Sequence, residues 1–412
     1  MRHIRSTLSE DEELDTGKHL KTQLTIALLL IMAAFPPLCR ADNPIVHTRF
    51  TADPAPMVYH NSIYHCTSHD EDNATGFTMR DWLCYTSTDM VNWTGQWAAA
   101  SRKDFHWAAS NITGWGEYEN GAWVPQCIER DGKFIMYCPV QGRGIGVLLA
   151  NKPFGPFVDP LGKPLNGPQF YSIDPTVYID NDGQTYLYWE NPNLWFVELS
   201  RDMILYSGKT VKDSSFAKVQ GQPVPYHYQE GPWISQRHGH YCMVYTSTCC
   251  PEGIVYSTSS ALTGPWSFKG YVMKPSPAAS GNHHGVIDYK GHSYLFGFSY
   301  YLNYLHTSIH RERQSVCVEE FTYNPDGTIP TLSWWPVTGP RQIGTLDPYH
   351  QTRAAMCWES GVPTGSCATG GMEVCNMGSK SYTKLKGVNF GEGAKSFDAS
   401  VASIRQSGMR YV

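Results

Sequence analysis

Charge is scarce in this chain: Asp, Glu, Lys and Arg make up 17% of its 412 residues, and the formal net charge is −5. No long run of Lys and Arg occurs, which argues against nucleic acid as a partner. Long helical periodicity is missing too, while 37 glycines and 27 prolines are spread along the chain. That balance points to an all-β protein. No two cysteines form a CxxC pair, so a zinc site has no support. Twelve cysteines would suit a disulfide scaffold, but Cys66, Cys84, Cys127, Cys138, Cys242 and Cys317 fall in strand-like runs. There cysteine behaves as a small apolar residue, and mostly free, buried thiols are expected. The apolar run Leu24 to Phe35 is too short to span a bilayer. With Lys18 and Lys21 before it and Ala41 as a small residue at a cleavage point, it reads as an export signal. Residues 1–41 are therefore expected to be an N-terminal extension and signal peptide of a secreted or periplasmic protein. The acidic stretch Glu10 to Glu13 is unlike a basic leader, and an over-extended start would account for it.

Hydrophobic residues are 41% of the chain, enough for a large core, and aromatics are 13%, with 13 Trp and 25 Tyr. Such an excess suits a protein that stacks its rings on something flat. The aromatics recur in five similar segments. Ala55 to Thr67, Trp123 to Pro139, Thr176 to Trp189, Pro232 to Thr246 and His284 to Phe298 each read as a strand, a polar tight turn and a Tyr- and Phe-rich strand. The turns carry Asn61, Gly132, Gly183, Gly239 and Gly291, spaced roughly 50 to 70 residues apart. Leu83 to Trp93, Ile145 to Phe157 and Ile254 to Trp266 add a third strand and a turn toward a fourth. One unit of about four antiparallel strands cannot bury both its faces alone, but a closed ring of units can. The repeat predicts a five-bladed β-propeller over 43–345.

In such a ring the first strand of each blade lines the central channel, and the residues just ahead of those strands gather at one mouth. Asp53-Pro54 and Asp174-Pro175 stand there in two blades, and Glu230 in Tyr228-Gln229-Glu230-Gly231-Pro232 stands there in a third. Each alone is ordinary turn chemistry. Together they place three acids in an aromatic pocket, which suits glycoside hydrolysis. That reaction needs a proton donor and an ionised partner, about 6.5–9.5 Å apart in an inverting enzyme. A third acid keeps the donor protonated by like-charge repulsion.

The motifs TADPAP, SIDPTVYIDNDG and YQEGPWI, one per blade, resemble glycoside hydrolase family 43. The resemblance covers about 300 residues, nearly the whole propeller. It implies a five-bladed propeller that hydrolyses arabinose- and xylose-containing polysaccharides with inversion. Residue by residue, it implies Asp53 as general base, Glu230 as general acid and Asp174 as the group that tunes and orients that acid. It also implies that His283, in SGNHHGVID, sits beside a calcium ion or a water cluster on the propeller axis. No cofactor is expected for the chemistry itself.

Trp123, Trp189, Tyr228 and Trp233 flank channel strands and are candidate platforms for a sugar ring, although most propeller aromatics are core residues. Arg313 either reaches the pocket to bind sugar hydroxyls or is a surface charge. The insertion Thr94 to Asn120 is a candidate determinant of pocket shape, and Asn73, Asn92 and Asn111 are possible glycan acceptors. After Trp334-Trp335-Pro336 the repeat stops. Residues 346–412 read as a linker followed by AMCWESGV and SYTKLKGVNFGEGAKSFDASVAS, which resemble the beginning of a family 6 carbohydrate-binding module, a β-sandwich that holds xylan-type chains. Half a sandwich would leave sheet edges unpaired, and Arg353-Ala354-Ala355 stands where that family usually has acids. The expected partner is arabinoxylan, from which the enzyme would release α-L-arabinofuranosyl groups. A β-xylosidase or xylanase of the same family is the alternative, and a non-catalytic sugar-binding propeller is the alternative outside enzymes.

Overall fold

The computed structural model describes residues 39–109, 120–167, 172–216, 227–247, 251–276 and 282–350, and in the tail 359–360, 364–366, 372–374 and 382–396. The signal region before 39, Asn111, Cys249, Cys250, Arg353-Ala354-Ala355 and the middle of the 94–120 insertion lie outside the described residues.

All five expected hairpins are present. They pair Phe50–Tyr59 with Ser62–Asp70, Gln126–Arg130 with Lys133–Val140, and Thr176–Ile179 with Thr185–Trp189. The last two pair Tyr228–Arg237 with His240–Ser247 and Gly285–Tyr289 with His292–Ser299. In three of them both central turn residues have positive φ: Asp131-Gly132, His238-Gly239 and Lys290-Gly291. That backbone matches the right-handed twist of the flanking strands, and the glycines adopt it without a Cβ clash.

Met79–Ser87, Gly144–Ala150, Trp195–Leu199, Ile254–Ser259 and Ser315–Phe321 add the third strands. Thr94–Ser101, Val211–Lys212 and Ser267–Met273 add fourth strands to blades one, three and four. Blades two and five have three strands rather than four. In blade two, Leu149 and Val158 exchange two backbone hydrogen bonds at the fourth position. In blade five, the N-terminal segment takes that place: Ile45 N–H donates to Val316 O at 2.8 Å.

The five innermost strands touch in sequence order, and the fifth touches the first, so the ring is closed. Polar links cross between neighbouring blades. Trp233 Nε1 donates to Val286 O at 2.9 Å, Tyr188 Oη to Leu262 O at 2.7 Å, and Tyr289 Oη to Asn61 O at 2.7 Å. At the last junction Gly285 lies so near Pro56 that a Cβ would come within 2.4 Å of its Cδ. Closure also uses both flanks of the repeat, because Arg40–Asp42 pairs with Thr338–Arg341. The closing strand thus starts three residues before the expected boundary at 43 and contains Ala41, which is buried.

Cys66, Cys84, Cys127, Cys138, Cys242 and Cys317 are free thiols buried within strands. Asn92 is buried and its Nδ2 donates to Asp89 and to Lys386 O, so it has no room for a glycan. Asn73 is exposed. In the tail, Glu359–Ser360 pairs with Tyr382–Thr383 and Thr364–Ser366 with Met372–Val374. No two-sheet sandwich forms among the described residues. Lys386 instead docks on the propeller, its N–H donating to Asn92 Oδ1 at 2.8 Å and its ammonium pairing with Asp42.

Candidate active site

Asp53 lies inside the first strand of blade one, where the ladder bulges between Ala52 and Ala55. The bulge follows from Pro54, which has no N–H for the ladder. Asp53 has φ +52° and Asp174 has φ +55°. Each precedes a proline, which disfavours right-handed helical backbone, and aspartate tolerates the left-handed region better than most residues. Both side chains turn inward and are almost fully buried. Glu230 occupies a matching irregularity in blade four, where the register shifts from Tyr228 through Glu230 to Trp233 and Gly231 has φ +62°.

The ring brings these three acids together. Gly231 N–H donates to Asp174 Oδ2 at 3.0 Å, which joins blades three and four through the residue next to Glu230. Ser68 Oγ donates to Asp53 Oδ2 at 2.7 Å, and a Val124 N–H from the entry of blade two also bonds the Asp53 carboxyl. Asn191 Nδ2 donates to Glu230 Oε2 at 2.5 Å, and Gln229 Nε2 holds that amide through its Oδ1 at 2.8 Å. Glu230 as a residue is half-buried, but its Oε1 has no solvent-accessible surface.

Burial raises all three. Desolvation pushes Asp53 from 3.8 to about 6, against the hydrogen bonds from Ser68 and Val124. Asp174 rises to about 7, mainly through desolvation, with repulsion from Asp53 and Glu252 opposing the Gly231 hydrogen bond. Glu230 is pushed well above its ordinary value by desolvation and then by the charges of Glu252, Asp174 and Asp53. Such a set holds an ionised and a protonated carboxyl side by side near neutral pH.

Around the acids, the aromatic expectation needs correction. Trp189 stacks on Tyr206 in the core, with ring centroids 6.3 Å apart. Tyr228 packs against Phe216 and Tyr245 and donates its hydroxyl to Glu190 O. Trp233 is buried between blades four and five. All three are buried in the core, and Tyr228 and Trp233 also hydrogen-bond across to a neighbouring blade. Trp123 is half-buried and remains a platform candidate.

Arg313 is half-buried: its Nε donates to Ala74 O at 3.0 Å and its guanidinium lies 5.4 Å from the Phe50 ring centroid. It also faces Asp70, a fully buried acid close enough to Asp53 to feel its charge. His283 packs beside Gly231. Its two nitrogens are buried with no hydrogen-bond partner among the described residues, and burial keeps the ring neutral. These orphaned atoms fit a water cluster or one water-clothed calcium ion, to which the imidazole would supply a single ligand. Elsewhere His69, Glu71 and Asp81 lie close together, but Arg80 stands 3.9 Å from Glu71 and Arg49 faces all three, so the acids already meet cations.

No sequence motif singles out Ser68, Asp70 or Glu252. Ser68 lies one residue past the Ala55 to Thr67 segment, and only its pairing beside the Asp53 bulge gives it a role. Asn191-Pro192 repeats the pattern of a polar residue ahead of proline, a signal that was available.

Buried, mutually coupled carboxyl groups at the mouth of a five-bladed ring are the equipment of a glycosidase. The family model for Glycosyl hydrolases family 43 matches residues 41–329, which takes in all five blades, and the chain belongs to that family. It is a glycoside hydrolase. An arabinoxylan arabinofuranohydrolase of Bacillus subtilis (strain 168) is 28% identical, over 88% of this chain and 79% of its own length. A beta-xylosidase of Xylanibacter ruminicola is also 28% identical, over 69% of this chain and 97% of its own. The crystal structure of a family 43 arabinoxylan arabinofuranohydrolase from Bacillus subtilis in complex with cellotetraose superposes with a TM-score of 0.63. It is 24% identical and covers 79% of this chain and 74% of that one, a likeness of fold.

Proposed function

We propose that this enzyme removes α-L-arabinofuranosyl side groups from arabinoxylan with inversion. The observation that carries the reading is the convergence of Asp53, Asp174 and Glu230, from three different blades, in one buried cluster. The relative named an arabinoxylan arabinofuranohydrolase aligns over 88% of this chain, more than the propeller alone can supply, whereas the one named a beta-xylosidase aligns over 69%, no more than the propeller's length. That difference favours arabinose over xylose as the released sugar. The tail fragment, read as part of a family 6 carbohydrate-binding module, fits the same polymer.

In the proposed reaction, ionised Asp53 takes a proton from water as its oxygen attacks the anomeric carbon. Protonated Glu230 gives its proton to the departing glycosidic oxygen. The bond from water to carbon forms as the glycosidic bond breaks, on opposite faces of the sugar. Asp174, held by Gly231 N–H, fixes the backbone that aims Glu230 and repels its charge. Arg313 and Trp123 are proposed to contact the sugar. No cofactor takes part. A calcium ion beside His283 is proposed as a structural element, testable by measuring bound calcium before and after chelation in the wild type and in His283→Ala. The apolar run at 24–35 supports export.

Digestion of wheat arabinoxylan tests the substrate. Free arabinose as the product supports the reading, xylose supports the β-xylosidase alternative, and no product supports a sugar-binding propeller.

A further inference from the structure

Glu252 lies on the loop before Ile254–Ser259 in blade four and is 2% exposed. The loop is pinned on both sides of it. Ser247 N–H donates to Gly253 O at 2.9 Å, and Gly253 N–H donates to Ser247 Oγ at 3.3 Å. The Glu252 carboxyl accepts from Asn282 N–H at 2.9 Å through Oε2. Asn282 O in turn accepts from Thr246 Oγ1 at 2.8 Å, and Thr246 is the ladder partner of Glu230. Glu252 and Glu230 are thus tied to the same stretch of sheet.

Their carboxyl groups are within hydrogen-bonding reach of each other. Asn191 serves Glu230 Oε2, while Glu230 Oε1 meets no donor among the described residues. Two ionised carboxylates are acceptors only and cannot bond each other, so this contact needs a proton. Buried acids at such contact share one proton rather than ionise together.

We propose that Glu252 is a positioning residue that shares a proton with Glu230 and thereby sets the upper pH limit for proton donation to the leaving oxygen. The inference rests on the reading of Glu230 as general acid. Glu252 and Asp174 both act on Glu230 by like-charge repulsion, so Asp174 is not alone in tuning it. The other groups facing Glu230 are Asp53 from blade one, Asp174 from blade three and the Tyr228 phenol from its own strand, with neutral His283 beside Gly231. The bond-making steps are unchanged: the proton leaves Glu230 for the glycosidic oxygen, and Glu252 remains as the partner that favours its return.

The test is the pH profile of kcat/KM for wild type, Glu252→Gln and Glu252→Asp, at fixed calcium, on a substrate with a poor leaving group. Glutamine keeps an oxygen for Asn282 N–H and brings an amide donor to Glu230, which stabilises the ionised acid. The alkaline limb should move to lower pH by about one unit or more while the acid limb stays in place. Aspartate withdraws the charge by one methylene and should move the limb less. An alkaline limb unmoved in both variants overturns the proposal, and Glu252→Asp alone decides if the glutamine variant does not fold. Glu230→Gln is run in parallel. If it keeps near-normal turnover, the general-acid reading is at fault, and if it is inactive while the limb stays put, the proton-sharing inference alone fails.

Discussion

Asp53 and Asp174 each hold a left-handed backbone ahead of a proline, with an acid kept out of water. Both features cost stability, about 1–3 kcal/mol for strained backbone alone, and such costs collect at functional sites. The charge cost has a definite sign. Raising Asp53 from 3.8 to about 6 means that the folded protein binds its proton more tightly than the unfolded chain does. The group therefore contributes stability that is complete below about pH 3.8 and is lost as pH rises through about 6. At about 1.4 kcal/mol per pH unit, the loss is at most about 3 kcal/mol. Asp53→Asn cannot ionise and escapes it. Urea midpoints at pH 4 and pH 7.5 should show the variant gaining on wild type as pH rises, and parallel behaviour at the two pH values would contradict the raised value.

The residue scale was half legible. An acid before proline at equivalent repeat positions marked Asp53 and Asp174, because repeat alignment converts sequence spacing into spatial convergence. Glu252 was invisible, since it precedes a third strand and not one of the inner strands whose starts carry the other acids. The aromatics misled for a physical reason. Strand position says that a ring faces the core or the channel, but not which, and Trp189, Tyr228 and Trp233 are buried in the core.

At the level of elements, the irregular starts of the inner strands aim the chemistry. In blade four, Gly231 combines φ +62° with a crowded back, where a Cβ would meet Asn282 O at 3.0 Å and His283 Cδ2 at 3.4 Å. Its N–H is also the bond to Asp174. Gly231→Ala should strain the backbone by about 1–2 kcal/mol and tilt Glu230. The expectation is a kcat/KM at least about tenfold lower, with KM less affected than kcat and the melting curve still cooperative. Unchanged kinetics would show that this turn does not aim the acid. Hairpins were the most legible elements, because paired strands and glycine turns are local. Fourth strands were not, since in blades two and five the position is filled by a single bridge or by residues from far along the chain.

Across the whole molecule, the N-terminal segment is seamed to blade five, and Asn43 occupies that seam. Buried at 3% exposure, its Nδ2 donates to Val318 O and Pro336 O, each at 3.0 Å, and its Oδ1 accepts from Val318 N–H at 2.9 Å. Asn43→Ala leaves these groups unpaired and should cost about 2–4 kcal/mol, while activity per folded molecule stays near wild type. Loss of activity without loss of stability would place Asn43 in the site instead of the seam. The closing partners were not legible, because Arg40–Asp42 and Thr338–Arg341 meet from opposite ends of the five-blade repeat.

The ring matters to function only because it gathers acids from separate blades around one glycosidic bond. Turnover of arabinoxylan by folded Asp53→Asn and Glu230→Gln, each checked by circular dichroism, measures that directly. The predicted result is a loss of about 10³-fold or more in kcat for both, and near-wild-type turnover by either folded variant would contradict it.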